Sequence, residues 1–307
     1  MAKKARKELK YHVTKKQRNV FSVVMDSGRN PAQWEQWFLL TSDRHWDNPK
    51  SNWEMQKDHM DEALKRGAGI IDCGDFFCAM QGKYDPRRST EDVRDIHQSS
   101  DYLDSLVNTA SDFFEPYAQN LIMIARGNHE ASILKRHETD LIERLIGQLN
   151  YRAPANIHSG GYSGFLRFCQ RPNGTKKIAG RTVVAHYSHG SGGGGPVTKG
   201  VIQTNRRAVY LPDANIIMSG HIHESWRLDL VRQRLSSKNR TYLDEQTHIL
   251  IPTYKEEFRE GFDGWHVERG APPKPVGAYW LRFFQKYSTG EDGMKVKDLG
   301  FDVIRAQ

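Results

Sequence analysis

Five short apolar runs in this chain each end on a residue that can hold a metal ion, and few folds accommodate that pattern. Trp37-Phe38-Leu39-Leu40 leads into Asp43-Arg44-His45, and Gly69-Ile70-Ile71-Asp72 leads into Gly74-Asp75. Leu121-Ile122-Met123-Ile124 leads into Arg126-Gly127-Asn128-His129-Glu130. Thr182-Val183-Val184-Ala185 leads into His186 and His189, and Asn215-Ile216-Ile217-Met218 leads into Gly220-His221-Ile222-His223. Short continuous apolar runs bounded by polar segments read as strands buried on both faces. Ligands of open α/β sheets collect outside the carboxyl ends of the strands. Five such strands would therefore bring Asp, Asn and His side chains from Asp43 to His223 to one edge.

Between the runs lie helical patterns. Residues 89–119 carry Leu103, Leu106, Val107 and Ala110 at helix spacing, and 133–149 place Leu141, Ile142, Leu145, Ile146 and Leu149 on one stripe. The second half reads as strands over 162–185, 226–235, 247–253 and 276–285. Pro172-Asn173-Gly174 and Ser236-Ser237-Lys238 supply turns, and Ala271-Pro272-Pro273-Lys274-Pro275 a rigid loop. The expectation is a mixed α/β chain: a basic N-terminal arm over 1–20, then one domain over 21–307. A helical insertion at about 80–119 and a strand-rich C-terminal part belong to that domain.

Asp-x-His and His-x-His on residues leaving a strand place two side chains on one side, because the strand period is two. Glycine directly before Asp75, Asn128 and His221 allows a tight turn that aims the next side chain inward. Hard oxygens and imidazoles without cysteine suit Mn²⁺, Fe or Zn²⁺ in a reactive site. His186 and His189 are three apart and cannot both face one way on a regular strand.

In this order the motifs Asp43-x-His45, Gly74-Asp75, Gly127-Asn128-His129-Glu130, His189-Gly190 and Gly220-His221-x-His223 resemble the calcineurin-like metallophosphoesterase superfamily. The resemblance is to its nuclease and phosphodiesterase members, and Trp46-Asp47-Asn48-Pro49 is similar to phage and bacterial ones. It implies a four-layer sandwich of two mixed β-sheets packed face to face and flanked by helices. It also implies two divalent metal ions, manganese first with iron or zinc as alternatives, about 3.5–4 Å apart around an attacking water. Asp43, His45 and His223 would hold the first, Asn128, His189 and His221 the second, and Asp75 would bridge both. His129 would be catalytic, giving a proton to the leaving group or stabilising the transition state. The family pattern sets glycine after the fourth-motif ligand, which selects His189 and leaves His186 as a supporting residue. Phe76-Phe77-Cys78-Ala79 stands where the superfamily's phosphoprotein phosphatases carry Asp-Arg-Gly, which disfavours that activity; Glu130 departs from the Asp usual in phosphodiesterases.

Charge bears on the substrate. Forty-five Lys and Arg against 37 Asp and Glu give a formal net charge of +8, and residues 1–18 hold eight basic residues with one acid. Such a balance favours a polyanion, nucleic acid before an acidic membrane surface, although the arm reads equally as a solvated terminus. No run approaches the ~18 apolar residues of a membrane span. Three cysteines in 307 residues point to a reducing, cytoplasmic setting rather than a disulfide framework. The expected function is hydrolysis of a phosphodiester in DNA or RNA. The alternatives are a phosphoesterase of cyclic nucleotides or monoesters, and a non-catalytic binding scaffold; protein partners are left open. Arg126, Lys199, Arg206 and Trp265 are the candidate substrate contacts. The glycine-rich run 190–200 fails the phosphate-loop pattern and reads either as a plain loop or as one approaching a substrate phosphate.

Overall fold

The structure is a computed structural model; it describes residues 8–28, 31–79, 89, 91–172, 179–195, 197–259, 264–289 and 295–306. In chain order the strands and helices begin with β1 (Tyr11–Gln17), β2 (Val20–Asp26), β3 (Glu35–Thr41), α1 (Trp53–Arg66), β4 (Gly69–Asp72), α2 (Tyr102–Phe114) and β5 (Leu121–Ile124). There follow α3 (Asn128–His137), α4 (Leu141–Arg152), β6 (His158–Ser159), β7 (Ser163–Arg171), β8 (Ala179–Ser188), α5 (Val201–Tyr210) and β9 (Ile216–Ser219). The chain closes with β10 (Trp226–Leu235), β11 (Thr241–Leu250), α6 (Trp265–Glu268), β12 (Ala278–Thr289) and β13 (Lys295–Ala306).

The strands form two mixed sheets, ordered β1-β2-β7-β8-β9-β11-β10 and β13-β12-β3-β4-β5-β6. Phe21, Val23, Phe168, Ile216 and Met218 of the first interdigitate with Phe38, Leu40, Ile71, Leu281 and Phe283 of the second. The other face of the six-stranded sheet is covered by Met60 of α1, Leu106 and Phe114 of α2, and Leu145 and Leu149 of α4. β4, β5 and β9 are buried at every position, as continuous apolar runs require when both faces are covered. The layers are those the resemblance implies, but the fourth is thin. Over the seven-stranded sheet lies α5, whose one buried residue is Thr204 while Ile202, Val209 and Tyr210 are exposed. Among the described residues no helix is long and apolar enough to cross a membrane.

Three sequence expectations change shape. Part of the basic arm is structured: β1 is the edge of the seven-stranded sheet, paired antiparallel with β2, and Tyr11 is buried with its hydroxyl donating to the Asn120 carbonyl at 3.3 Å. Lys15 and Lys16 stay exposed along that strand, and charge on an edge discourages pairing with other chains. Residues 1–7 of the arm lie outside the described residues, as do 80–88 and 90 of the expected insertion and Asn173-Gly174 of the first turn. The described part of the insertion is α2, packed into the core of the domain. The stripe in 133–149 belongs to α4 alone. The chain turns at Glu138 with φ 53°, and Asp140 caps α4 by accepting from the Ile142 and Glu143 amides at 3.1 and 3.2 Å.

Candidate metal centre

β3, β4 and β5 lie side by side and parallel, as do β8 and β9 in the facing sheet, so all five apolar runs end at one edge of the sandwich. Beyond the strand ends the backbone is unusual. Asp43, His45, Asp75, His221 and His223 all have positive φ, at 51°, 45°, 50°, 78° and 54°. The left-handed region costs an L-residue about 1–2 kcal/mol, and such strain persists where surrounding structure enforces it. Here the turns enforce one another. The Asp43 amide donates to the Gly74 carbonyl at 2.9 Å and the His45 amide to the Asp75 carbonyl at 3.1 Å. The Asp43 carbonyl in turn accepts from the Tyr254 amide at 3.1 Å and the Thr253 hydroxyl at 2.8 Å.

The glycines serve two purposes. Gly74 has φ +104° and makes the turn expected of it. Gly127 and Gly220 are not left-handed; they are glycines for lack of room. A Cβ on Gly127 would sit 2.0 Å from Asp75 Oδ1, and one on Gly220 would sit 2.3 Å from Asp43 Oδ2.

The structure brings Asp43, His45, Asp75, Asn128, His129, His189, His221 and His223 together. Ligand atoms of Asp43, His45 and His223 lie within 4.8 Å of one another, and so do those of Asp75, His189 and His221. Asn128 Oδ1 joins the second group, 3.0 Å from His189 Nε2 and 2.7 Å from His221 Nδ1. His186, expected to support His189, is instead on β8 with its ring on Phe165, and burial pushes its pKa down to about 4. β8 ends at Ser188, so His189 is the one that leaves the strand.

These groups fit a divalent cation on electronic grounds. His189 Nδ1 donates to the Cys73 carbonyl at 3.1 Å, so its Nε2 is the nitrogen facing Asn128 Oδ1 at 3.0 Å and Asp75 Oδ2 at 3.1 Å. In a neutral ring that sets one lone pair against two oxygens, an arrangement only a cation relieves. A proton is the smallest such cation: burial would lower the His189 pKa, yet the Asp75 carboxylate drives it up to about 10. In the first group His45 Nε2 faces His223 Nε2 at 3.1 Å, and Asp43 Oδ1, fully buried, has no hydrogen-bond partner while standing 3.3 Å from His223 Nε2. Burial holds His45 well below the usual histidine range. Burial alone would raise Asp75, but His189, His129 and His45 pull it well below the usual carboxylate range. A backbone carbonyl fixing the far nitrogen, as at His189, is the usual outer support of a metal-binding imidazole.

Other residues hold this frame. Asp75 Oδ1 accepts from the His129 amide at 3.0 Å, at the N-terminus of α3, where unpaired amides favour an anion. Glu130 explains its departure from Asp: from the third position of α3 its two oxygens accept from the Gly127 amide at 2.8 Å and the Phe77 amide at 2.7 Å. Burial raises its pKa to about 8. Arg44, between Asp43 and His45, is wholly buried. It donates to Asp72 Oδ2 at 2.6 Å and lies over the rings of Phe76, Phe114 and Tyr254.

The centre opens into a cavity of about 700 Å³, lined also by Lys255, His266, Arg269 and Lys274 and by Gly192–Gly194; the His266 ring stands 5.4 Å from that of His223. Sequence reasoning singled out none of those four for a role. They come from loops joined to the centre only by folding, and Glu257, accepting from His266 Nδ1 at 2.6 Å, orients one of them. The four candidate substrate contacts fare differently. Arg126 pairs with Asp140, Lys199 lies 3.9 Å from Glu224, and Arg206 is exposed on α5; none of the three lines the cavity. Trp265 begins α6 next to His266, and its side chain lies outside the described residues.

No protein-family profile and no curated protein matches the chain. Among solved structures it is similar to Vps29 of Chaetomium thermophilum, with 8% identity and TM-score 0.33 over 88% of this chain and 97% of that one. It is similar also to wild-type Vps29 of Entamoeba histolytica complexed with Zn²⁺, with 9% identity and TM-score 0.35 over 88% and 99%. A third is GAP50, the anchor in the inner membrane complex of Plasmodium, with 10% identity and TM-score 0.37 over 89% of each chain. Likenesses this distant bear on neither activity nor partner.

Proposed function

We propose that the chain is a metal-dependent phosphodiesterase acting on nucleic acid, DNA or RNA. The observation that carries this is the pair of adjacent ligand groups whose lone pairs face one another, with Asp75 interacting with His45 on one side and His189 on the other. Asp43, His45 and His223 would hold one divalent ion, Asn128, His189 and His221 a second, and Asp75 both; manganese is the first candidate, then iron or zinc. Two such ions lower the pKa of a water and brace the phosphate for in-line displacement. His129 would hand over a proton. Its Nδ1 donates to the Cys78 carbonyl at 2.6 Å, which leaves Nε2 toward the cavity, 3.8 Å from Asp75 Oδ2.

The formal net charge of +8 supports an anionic polymer, as does the presence of Arg269, Lys255 and Lys274 in the cavity wall, the two lysines there being paired with Glu257 and Glu224. The cavity itself favours a second reading, since its volume of about 700 Å³ lies within the ~300–1,000 Å³ of small-molecule sites and would suit a cyclic nucleotide or a monoester. We place the protein in the cytoplasm from its sparing use of cysteine. One panel decides: purified protein with Mn²⁺, offered single- and double-stranded DNA, RNA, a cyclic nucleotide, and chromogenic diester and monoester. Cleavage of the polymers and the diester, abolished in Asp75→Asn, is expected. Hydrolysis confined to monoesters would replace the nuclease with the small-molecule enzyme, and no hydrolysis with any metal would leave a binding scaffold.

A further inference from the structure

We propose that Cys78, His45 and His129 form a site for a soft, thiophilic ion such as Zn²⁺ or Cd²⁺, and that filling it disables the neighbouring phosphoesterase centre. One ring nitrogen of each histidine and the Cys78 sulfur lie within 4.8 Å of one another, and all three residues line the cavity. His129 turns Nε2 toward the cavity, because Nδ1 donates to the Cys78 carbonyl, and that nitrogen offers its lone pair once its proton has passed to solvent. His45 is 2% exposed, and its Nδ1 is buried without a hydrogen-bond partner. The thiol is held in place from below. The Cys78 and Ala79 amides donate to the two oxygens of Asp47 at 2.6 and 2.8 Å, and Asn48 Nδ2 donates to the sulfur at 3.6 Å.

The donor set decides which ion goes there. The other two groups each include a carboxylate, which suits a hard ion, whereas one sulfur and two imidazoles with no oxygen select Zn²⁺ or Cd²⁺ over Mn²⁺. Bond lengths of about 2.3 Å to sulfur and 2.0–2.1 Å to nitrogen leave only a modest inward shift of the three side chains. On binding, the thiol proton passes to solvent and the sulfur ligates as thiolate. The fourth tetrahedral position stays with water. Cys78 lies in the Phe76-Phe77-Cys78-Ala79 segment, where this chain departs from the phosphoprotein phosphatases.

The consequence for activity rests on the function proposed above: the soft ion takes His129, the proton donor, and draws His45 from Asp43 and His223. The test separates the two readings. The full chain, stripped with chelator, is titrated with Cd²⁺ while the ultraviolet charge-transfer band of the cadmium–thiolate bond is followed. Because Cys73 and Cys169 are also free and buried, each serine variant is measured alongside. The band should appear in the native chain, in Cys73→Ser and in Cys169→Ser, and vanish in Cys78→Ser and in Cys78→Ala. Two variants at that position, each with an unchanged circular dichroism spectrum, guard against loss of the fold. Cd²⁺ affinity by calorimetry should fall about 10–100-fold with the band, the loss seen on deleting even supporting residues of metal sites. Asp75→Asn should lose hydrolysis and keep the band, so a failed nuclease assay leaves this result standing. An absent band in the folded native chain, or a full band in Cys78→Ser, overturns the proposal.

Discussion

Replacing Gly127 by alanine should disable the centre while leaving the protein folded. An alanine Cβ there would stand 2.0 Å from Asp75 Oδ1 and 2.3 Å from the Asp75 amide nitrogen, where real Cβ contacts do not fall under 3.0 Å. Either the carboxylate or the Gly127 backbone must therefore shift, by at least 1.0 Å in bringing 2.0 Å up to 3.0 Å. The carboxylate cannot move freely, because the Asp75 amide nitrogen is itself 2.3 Å from that Cβ and Oδ1 is held by the His129 amide at 3.0 Å. Misplacing a reacting group by about 1 Å costs on the order of 100-fold in rate, which is about 2.7 kcal/mol in the barrier. The strain on the fold itself should be about 1–3 kcal/mol, the usual cost of overpacking. The assay is kcat/KM on a chromogenic diester with saturating Mn²⁺, beside thermal denaturation. Gly147→Ala is the matched control: it lies in α4 with nothing within 4 Å of its built Cβ, and should gain up to about 1 kcal/mol from helix propensity at full activity. Gly127→Ala with activity within twofold of the native chain would refute the claim that Gly127 is glycine for the sake of Asp75.

Arg44→Met should cost about 3–5 kcal/mol in urea denaturation, because Asp72 is left charged and wholly buried with its principal partner gone; a loss under 1 kcal/mol would mean the pair is dispensable. Adding Mn²⁺ to the chelated chain should raise Tm, by the equivalent of about 2.7 kcal/mol when the ion is at 100 times its Kd, and Asp43→Ala should abolish the rise, since the unpartnered Asp43 Oδ1 is one of the groups the ion satisfies. His248 gives a pH prediction away from the centre. Burial pushes its pKa down from 6.5 to about 4, so the unfolded chain binds a proton that the folded chain refuses. Its contribution is complete above pH 6.5 and is lost as pH falls from 6.5 toward 4. Tm of His248→Gln should accordingly fall less than that of the native chain over this window, and parallel curves would contradict it.

How far the centre could be read from the chain depends on what holds each residue. β4, β5 and β9 were legible because burial on both faces leaves uninterrupted apolar runs, and the candidate ligands beyond them because their position is set by the strand end next to them. The choice of His189 over His186 has the same root. The strand fixes His186 against Phe165 as one of its own residues, and releases the chain only after Ser188. β1 was hidden because an edge strand carries the lysines that also mark a loose arm; only the burial of Tyr11 under a partner more than a hundred residues away separates the two. Arg126 and Lys199 were unreadable as substrate contacts for a related reason. Beside a phosphate site both looked available, but Arg126 pairs with Asp140, Lys199 stands 3.9 Å from a Glu224 that Lys274 holds at 2.5 Å, and neither side chain lines the cavity. Lys255, His266 and Lys274 carry no motif, yet folding sets them in the cavity wall beside the candidate ligands, with Glu257 and Glu224 as their own partners. A group that is to hold a metal ion must be aimed by its own backbone, and the positive φ angles of five candidate ligands carry the strain that such aiming requires. A substrate contact needs only a long side chain and an open path, so it can come from any loop that tertiary packing delivers. Reactive chemistry is thus written locally in chains of this kind, and substrate choice is not, which is why the Asp75 control and the polymer panel address separate questions.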